Sequence, residues 1–257
     1  MKKLVVILFI LFISGCNIKE PSSSSDTQVL THDVEQDGIA LQATIEMEKE
    51  ININASITNT SNETIVYNDR CGIPFSISIK KDDAHIYLNS SNGEEMNCES
   101  VLDPKDLKKM EPNETFEKQV TFKREINLTD HRTVHALSGM YEVSFSFQKH
   151  DNDSFISLFP IELNSNNDPE ILTVEQASER AKEKEEVKKW FEEHEGEGMN
   201  IESEDSILTD GMWTVIFRAI HKDGADRIII NMDAKSGEFG EIHYDKVGLE
   251  TLKLLKK

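Results

Sequence analysis

Strict alternation of apolar and polar residues between positions 39 and 57 restricts the fold of this chain more than any other feature. The apolar members are Ile39, Leu41, Ala43, Ile45, Met47, Ile51, Ile53, Ala55 and Ile57. Side chains of a strand point alternately to the two faces of a sheet, so this pattern predicts two antiparallel strands with one buried face. The charged sequence Glu48-Lys49-Glu50 between them predicts a tight hairpin or a change of sheet.

Further short apolar segments follow, separated by polar turn residues. They lie at 64–67, 75–80, 85–88, 116–122, 140–147 and 154–163. About eight short strands with few helical stretches between them are typical of an all-β sandwich and not of an α/β fold. The predicted fold class is therefore mostly β, with an antiparallel immunoglobulin-like β-sandwich over residues 36–165 and a smaller α+β domain after it.

Three turn segments of the predicted sandwich carry a family resemblance. Residues 110–116 and 137–143 are turns that feed strands, and residues 59–62 form another turn. Together they resemble the BsuPI family of bacterial proteinase-inhibitor-like domains over about residues 36–165. Asn113 stands where that family usually has glycine, so the local turn differs. The resemblance implies an immunoglobulin-like sandwich that inhibits a proteinase.

The pattern changes after the polar segment 164–168 and Pro169, which predict a domain boundary. Val174, Ala177 and Ala181 share one helical face, and a second apolar face begins at Val187. This predicts either one curved helix or two short helices with a break near Lys184. Thr173 is the predicted N-cap, with Gln176 completing a capping box.

Strands return at 213–218 and 227–232, joined by a turn at 221–224 and followed by a turn at 233–238. Residues Thr173, Glu175 and Ala177, with the 233–238 turn, resemble the PepSY-like family over about residues 171–245. The resemblance implies a helix-plus-hairpin module at 170–257 that is linked to the propeptides of secreted peptidases. The leucine-bearing tail 247–257 predicts a closing helix.

The chain opens with two lysines and an apolar run at 4–13. Ten residues are too few to span a bilayer, which needs about 20, but they suit the apolar part of a secretory signal. The following Ile13-Ser14-Gly15-Cys16 resembles the lipobox of bacterial lipoproteins. That resemblance implies a signal peptide at 1–15 and a lipidated Cys16 that anchors the protein to the bilayer at the extracytoplasmic face of the cell membrane. The alternative is an ordinary secretory signal in which Cys16 is incidental.

Pro21 and the serine run after it cannot bury apolar area, so residues 16–35 are predicted to be the lipidated cysteine and a flexible tether. The formal net charge is -20, from 28 basic and 48 acidic residues. Removal of Lys2 and Lys3 with the signal peptide would leave 26 basic residues and a charge of -22. Such a chain is a poor ligand for nucleic acid, so the lipid, and not charge, would hold it at the membrane.

Cys71 and Cys98 are the remaining thiols, and export would permit a disulfide between them. The bond would close a loop of about 27 residues and stabilise the fold by roughly 3.5 kcal/mol in the chain-entropy treatment. We predict this structural disulfide, with two free thiols or a metal-binding pair as the alternatives. It would fix the segment 89–109, which lacks strand periodicity and is a candidate contact loop.

The sequence carries no local signature of catalysis. His131 and His135 have the spacing of a zinc helix but lack the glutamate that activates water, and Asp151 and Asp153 lack the rest of a calcium loop. We therefore predict no catalytic residues, no metal, no cofactor and no enzymatic activity. The predicted function is non-catalytic binding or regulation of an exported protein partner, with restraint of an exported peptidase as its specific form and the contact residues unknown. The alternative is an envelope-structural or polymer- or solute-binding lipoprotein.

Overall fold

The computed structural model describes residues 27–68, 75–82, 84–91, 107–129, 132–150, 154–165 and 168–255. The strands are β1 (Gln28–Gln36), β2 (Ile39–Met47), β3 (Glu50–Asn59), β4 (Ile65–Asn68), β5 (Phe75–Lys81), β6 (Ala84–His85), β7 (Leu88–Ser90), β8 (Leu107–Met110), β9 (Thr115–Thr129), β10 (Arg132–His135), β11 (Gly139–Gln148), β12 (Ser154–Leu163), β13 (Asn200–Ser203), β14 (Ser206–Thr209), β15 (Met212–His221), β16 (Gly224–Asp233) and β17 (Phe239–Gly248). The helices are α1 (Val174–Glu183), α2 (Glu185–Gly196) and α3 (Leu249–Leu255). No helix in these residues has the length and apolar character needed to cross a bilayer.

Two sheets form the first half of the fold. The first sheet has the order β1-β2-β3-β9-β10, with β7 also paired to β9, and the second has the order β12-β11-β5. The predicted alternation is confirmed, because β2 and β3 bury every apolar residue of the pattern on one face. The fold is thus mostly antiparallel β, as expected from the period of two. A small pair, β4 with β8, lies beside the two sheets.

Aromatic side chains join the inner faces of the first and second sheets. Phe116 of β9 lies 6.3 Å, between ring centroids, from Phe147 of β11, and Tyr67 contacts both rings. Tyr141 of β11 is buried, and its hydroxyl donates a 2.9 Å hydrogen bond to the carbonyl oxygen of Leu137, four residues earlier. This bond holds the turn that enters β11 against the core of the sandwich.

A third sheet and two helices form the second half. Its order is β17-β16-β15-β14-β6, with β13 paired to β15. The capping box is confirmed: the side chain of Thr173 accepts from the Gln176 backbone N–H, and the Gln176 side chain accepts from the Thr173 N–H. The break near Lys184 is also confirmed, since Lys184 has extended backbone angles between α1 and α2. Both helices cover the face of the third sheet that carries Phe217.

The two halves share a sheet. The short strand β6 follows β5 in the chain yet pairs in parallel with β14, with Ser206 opposite Ala84. Buried residues of both halves belong to one continuous cluster. The folded part also begins earlier than expected, because β1 lies almost wholly within the 16–35 range predicted to be a tether. The half-buried Leu30, His32 and Val34 show why: their side chains face the core at every second position.

His32 places a titratable ring against the core between β1 and β12. Its Nε2 lies 2.7 Å from the Ser157 Oγ, and its ring packs on Phe145 and Phe159 at 5.8 and 4.8 Å between centroids. Burial lowers the pKa of His32 below its usual 6.5, against a smaller opposing effect of Asp33. The neutral ring is therefore the form that the folded sandwich favours.

We expect the protein to lose stability as the pH falls below about 6.5, because the unfolded chain then takes up a proton on His32 before the folded chain does. Thermal unfolding measured between pH 7.5 and 5.5 checks this. His32→Phe, which cannot titrate, should show a shallower decline of the midpoint over this range. An unchanged decline in His32→Phe would contradict the assignment to His32.

Candidate functional site: a groove between a helix and an edge strand

Strand β17 lies at one edge of the third sheet. Among the described residues it pairs with β16 alone. Most of its side chains are exposed on both faces, and Tyr244 is 59% exposed. An edge strand of this length presents a row of N–H and C=O groups that another extended chain can pair with.

The phase of the β16–β17 ladder identifies the free backbone groups. The N–H of Leu249 donates to the Asp223 carbonyl at 3.2 Å, next to the Gly248–Gly224 pair. Bonding residues alternate along an antiparallel strand, so Asp245 and Val247 bond to β16. The N–H and C=O groups of Tyr244 and Lys246 then point outward, away from the sheet.

Helix α2 borders the same strand. A groove of about 480 Å³ separates the two elements, and we call it the α2–β17 groove. Its lining residues are Glu186, Lys189, Trp190, Glu193, His194, Asp226, Arg227, Tyr244, Asp245 and Lys246. The groove therefore lies over β16 and β17, next to the edge strand, and has a helix as its opposite wall.

The periodicity of α2 positions the helical wall. Val187, Trp190 and His194 follow a three- and four-residue spacing and are all buried on the face toward the sheet. The Trp190 and His194 rings lie 4.3 Å apart between centroids, and the His194 Nδ1 is 2.8 Å from the Trp190 carbonyl oxygen. These contacts give the groove a rigid aromatic wall.

Asp226 on β16 carries the charge at the base of the groove. Its carboxylate lies 3.0 Å from the Lys246 Nζ, 3.5 Å from the His194 Nε2 and 3.8 Å from the His221 Nε2. Burial alone would raise the pKa of Asp226, but the hydrogen bond and charge of Lys246, helped by the two histidines, lower it overall. Asp226 is thus a carboxylate at neutral pH and is not suited to act as a general acid there.

The chemistry of the lining is that of a binding surface. Acidic and basic side chains are balanced, and the described residues that line the groove include no serine, threonine or cysteine. Tyr244, whose side chain is exposed, offers apolar area with a polar tip, as side chains in protein-binding sites often do. The groove can therefore hold an extended peptide by backbone pairing and aromatic contact.

A row of charged side chains crosses the opposite face of the same sheet. Glu202, Arg218, Arg227 and Asp245 lie opposite one another on β13, β15, β16 and β17. Glu204 lies between the two arginines, 3.7 Å from an Arg218 nitrogen and 3.3 Å from an Arg227 nitrogen. Hydrogen bonding to Asp245 raises the pKa of Arg227, and the same bond lowers the pKa of Asp245. The row holds β17 in register beside the groove.

The residues predicted to carry function are not among the described residues that line the groove. Cys16, Cys71 and Cys98 are outside the residues that the structure describes, so lipidation and the disulfide remain predictions. His135 is described, on β10, whereas His131 is not. Among the described residues, no group of three or more His, Cys, Asp or Glu side chains is arranged to hold a metal ion.

The candidate contact loop and the acidic turn also fall largely outside the described part. Residues 92–106 of the segment 89–109 and residues 151–153 are not described. The groove itself was not predicted, because no contact residue was assigned from the sequence. The available signal was the placement of Ile242, Tyr244 and Lys246 at every second position. These side chains are too polar as a set for that period to indicate a strand.

Comparisons with known proteins identify no family for this chain. No protein-family model matches it, and no curated protein matches it. One similar solved structure is the YjhA protein from Bacillus subtilis, at 9% identity and a TM-score of 0.27, covering 52% of this chain and 96% of that one. Another is the Northeast Structural Genomics Consortium target SoR45, at 10% identity and a TM-score of 0.22, covering 55% of this chain and 86% of that one. Similarity this low carries no weight for function.

Proposed function

We propose that this chain is a lipid-anchored extracytoplasmic protein that binds a protein partner without catalysis, by pairing an extended segment of the partner with β17 in the α2–β17 groove. The observation that carries this proposal is the long edge strand whose outward backbone groups lie beside a groove with an aromatic wall. Strand addition of this kind takes its affinity from main-chain bonds and its specificity from side-chain pockets.

The anchor and its location rest on the sequence. The apolar run at 4–13 and the segment Ile13-Ser14-Gly15-Cys16 support acylation of Cys16 and residence at the outer face of the cell membrane. The net charge of -20 argues against a nucleic-acid partner. The tether would then hold the folded part near the membrane, where an exported protein could reach the groove.

Restraint of an exported peptidase is the specific form of the proposal. The buried bond from the Tyr141 hydroxyl to Leu137 is the kind of corner found in immunoglobulin-like sandwiches, which supports the BsuPI-like assignment. In the 233–238 turn, the Asp233 carboxylate accepts from the N–H groups of Lys235 and Ser236 at 3.0 and 2.7 Å, which supports the PepSY-like assignment. Both resemblances suggest peptidases or their propeptides as partners.

A polar face on the first sheet favours polymer binding as the second candidate function. A concave surface of about 690 Å³ crosses β1, β2, β3 and β9. Two cross-strand rows line it: Thr31, Thr44, Asn54 and Gln119, and Asp33, Gln42, Ser56 and Glu117. Within the described residues, four of these side chains bond to no other side chain: Thr44, Asn54, Gln42 and Ser56. In the next row, by contrast, the Thr121 hydroxyl donates to the Asn52 side chain. Such amide and hydroxyl groups suit a neutral polyhydroxylated polymer.

A pair of variants at Tyr244 tests the proposed function. Full-length protein is used to capture partners from the envelope and culture medium, and captured proteins are identified by mass spectrometry. Tyr244→Pro removes the outward N–H of β17, and Tyr244→Ala removes the same side chain but keeps the N–H. We expect the proline variant to bind the captured protein at least about tenfold more weakly than the alanine variant. Proline loses one main-chain hydrogen bond, and its ring would clash with the added strand.

Thermal unfolding of both variants shows whether β17 stays folded. Equal binding by the two variants, with both folded, would rule out strand addition to β17. A captured peptidase whose activity falls in proportion to added protein would support the inhibitory form. Capture of an envelope polysaccharide and of no protein would overturn the proposal in favour of polymer binding.

A further inference from the structure

A cationic pocket lies at the end of the sandwich where β1 begins. Its volume is about 380 Å³, and Lys49, Arg124 and His135 line it, with no carboxylate among the lining residues. The whole chain has 48 acidic and 28 basic residues. Three basic side chains without an acidic one are therefore unexpected on this surface.

Arg124 has unused hydrogen-bonding capacity in this pocket. It lies on β9 between the last pair with β3, Glu50–Lys123, and the last pair with β10, His135–Glu125. Its Nε is buried and has no hydrogen-bond partner, and one terminal nitrogen reaches the Asn164 carbonyl oxygen only at 3.5 Å. A buried donor left without an acceptor is destabilising, so an acceptor in the pocket would be stabilising.

The other two basic groups leave room for a charged ligand. Lys49 is exposed on the β2–β3 turn and forms no ion pair with any residue that the structure describes. His135 donates its backbone N–H to the Glu170 carboxylate at 3.2 Å, and its Nε2 lies 4.0 Å from that same carboxylate. Glu170 therefore lies against His135, and it is not among the residues that line the pocket.

We propose that this pocket binds a phosphate group. The planar guanidinium of Arg124 offers Nε and a terminal nitrogen side by side, which matches two phosphate oxygens, and Lys49 adds a point charge. The Nε is buried in the observed side-chain position, so a rotation of the Arg124 side chain into the pocket would be needed to bring it against a phosphate oxygen. Free phosphate and the headgroup of a phospholipid share this chemistry.

The described part of the chain begins beside the pocket. Gln28 of β1 pairs with Met47 beside the β2–β3 turn, and the Thr27 hydroxyl donates to the Glu48 carboxylate. The chain that would come from an acylated Cys16 thus enters the fold at the same turn as Lys49. This source rests on the lipid anchor of the proposed function, whereas binding of free phosphate does not.

Inorganic phosphate tests the pocket directly. Full-length protein in neutral detergent is titrated with phosphate at constant ionic strength, with chloride as the control anion, and the Arg124 Nε–H resonance is followed by NMR. We expect a saturable shift that chloride does not produce. Arg124→Gln should abolish phosphate binding measured by calorimetry, and Lys49→Gln should weaken it severalfold. Lys123→Gln, an exposed neighbour outside the pocket, should leave it unchanged.

The two sources are separated in bicelles, with acylation of Cys16 checked by mass. Phosphatidylglycerol bicelles should reproduce the Arg124 shift, and bicelles of phosphate-free diglucosyl diacylglycerol should not. A shift with free phosphate but none with phosphatidylglycerol would assign the pocket to free phosphate. No saturable shift in either arm, or the same shift with chloride, would overturn the proposal. Because no arm depends on β17, failure here is distinct from failure of partner capture.

Discussion

Replacing Glu204 with glutamine is expected to lower the free energy of unfolding by about 3 kcal/mol, because the change removes the charge that lies between two arginines. Arg218 and Arg227 are directly opposite each other on β15 and β16. Like charges in such a pair are destabilising unless a counter-charge lies between them. The side chains of Glu204, Arg218 and Arg227 are only 12, 11 and 17% exposed, so solvent screens them little.

Chemical denaturation at neutral pH measures this effect, and Glu241→Gln provides a matched control. Glu241 is on the same sheet and pairs with His243 at 3.1 Å, but its side chain is 82% exposed. An exposed pair of this kind contributes about 0–1 kcal/mol. If Glu204→Gln cost no more than Glu241→Gln, the row of charges would not hold the sheet together.

A second variant separates charge balance from packing. Glu204→Gln combined with Arg227→Met removes one charge of each sign from the row. The double variant should recover part of the loss, because fewer buried charges remain without a partner. A double variant whose loss equals the sum of the two single losses would show that Arg227 stabilises the sheet chiefly through Asp245, to which it donates at 2.7 Å.

Local patterns predicted the parts of this fold whose residues alternate or cap in sequence. The residues of β2 and β3 alternate strictly because one face meets the core and the other meets water, so periodicity alone identified them. The capping box of Thr173 and Gln176 depends on residues three apart, and it was equally readable. These features need no knowledge of distant contacts.

The candidate site could not be predicted in this way, because it depends on contacts across the fold. Strand β17 is exposed on both faces, so its sequence shows no buried alternation. Trp190 and Tyr244 are 54 positions apart and line one groove only because α2 packs on the third sheet. The pairing of β6 with β14, more than 120 residues apart, is also invisible to local pattern. Glu204 comes between its two arginines because the segment after β13 is bonded to β15, with the Glu204 N–H donating to the Ile216 carbonyl oxygen.

Gly224 is the first residue of β16 and pairs with the end of β17, the strand that borders the α2–β17 groove. Gly224→Ala is expected to cost about 3 kcal/mol of folding stability. Gly224 has φ of +151°, a conformation that residues with a side chain rarely adopt. A Cβ there would lie 2.0 Å from the Val247 carbonyl oxygen and 3.1 Å from the Gly248 Cα. Both atoms are backbone of β17, so only displacement of that strand could relieve the clash.

Gly240→Ala is the matched control on the same pair of strands. A Cβ at Gly240 would have its nearest neighbour, the Asn231 carbonyl oxygen, at 3.5 Å, which is ordinary contact. We expect that variant to change stability by less than about 1 kcal/mol. Equal losses in both variants would show that the Gly224 conformation does not hold β17 in place. The expected result is a stability loss in Gly224→Ala alone. If that variant also failed to capture the partner at temperatures where the rest of the fold is intact, binding would depend on the position of β17. The edge of the sheet binds only while β17 stays paired to β16, so the glycine that permits that pairing also preserves the groove.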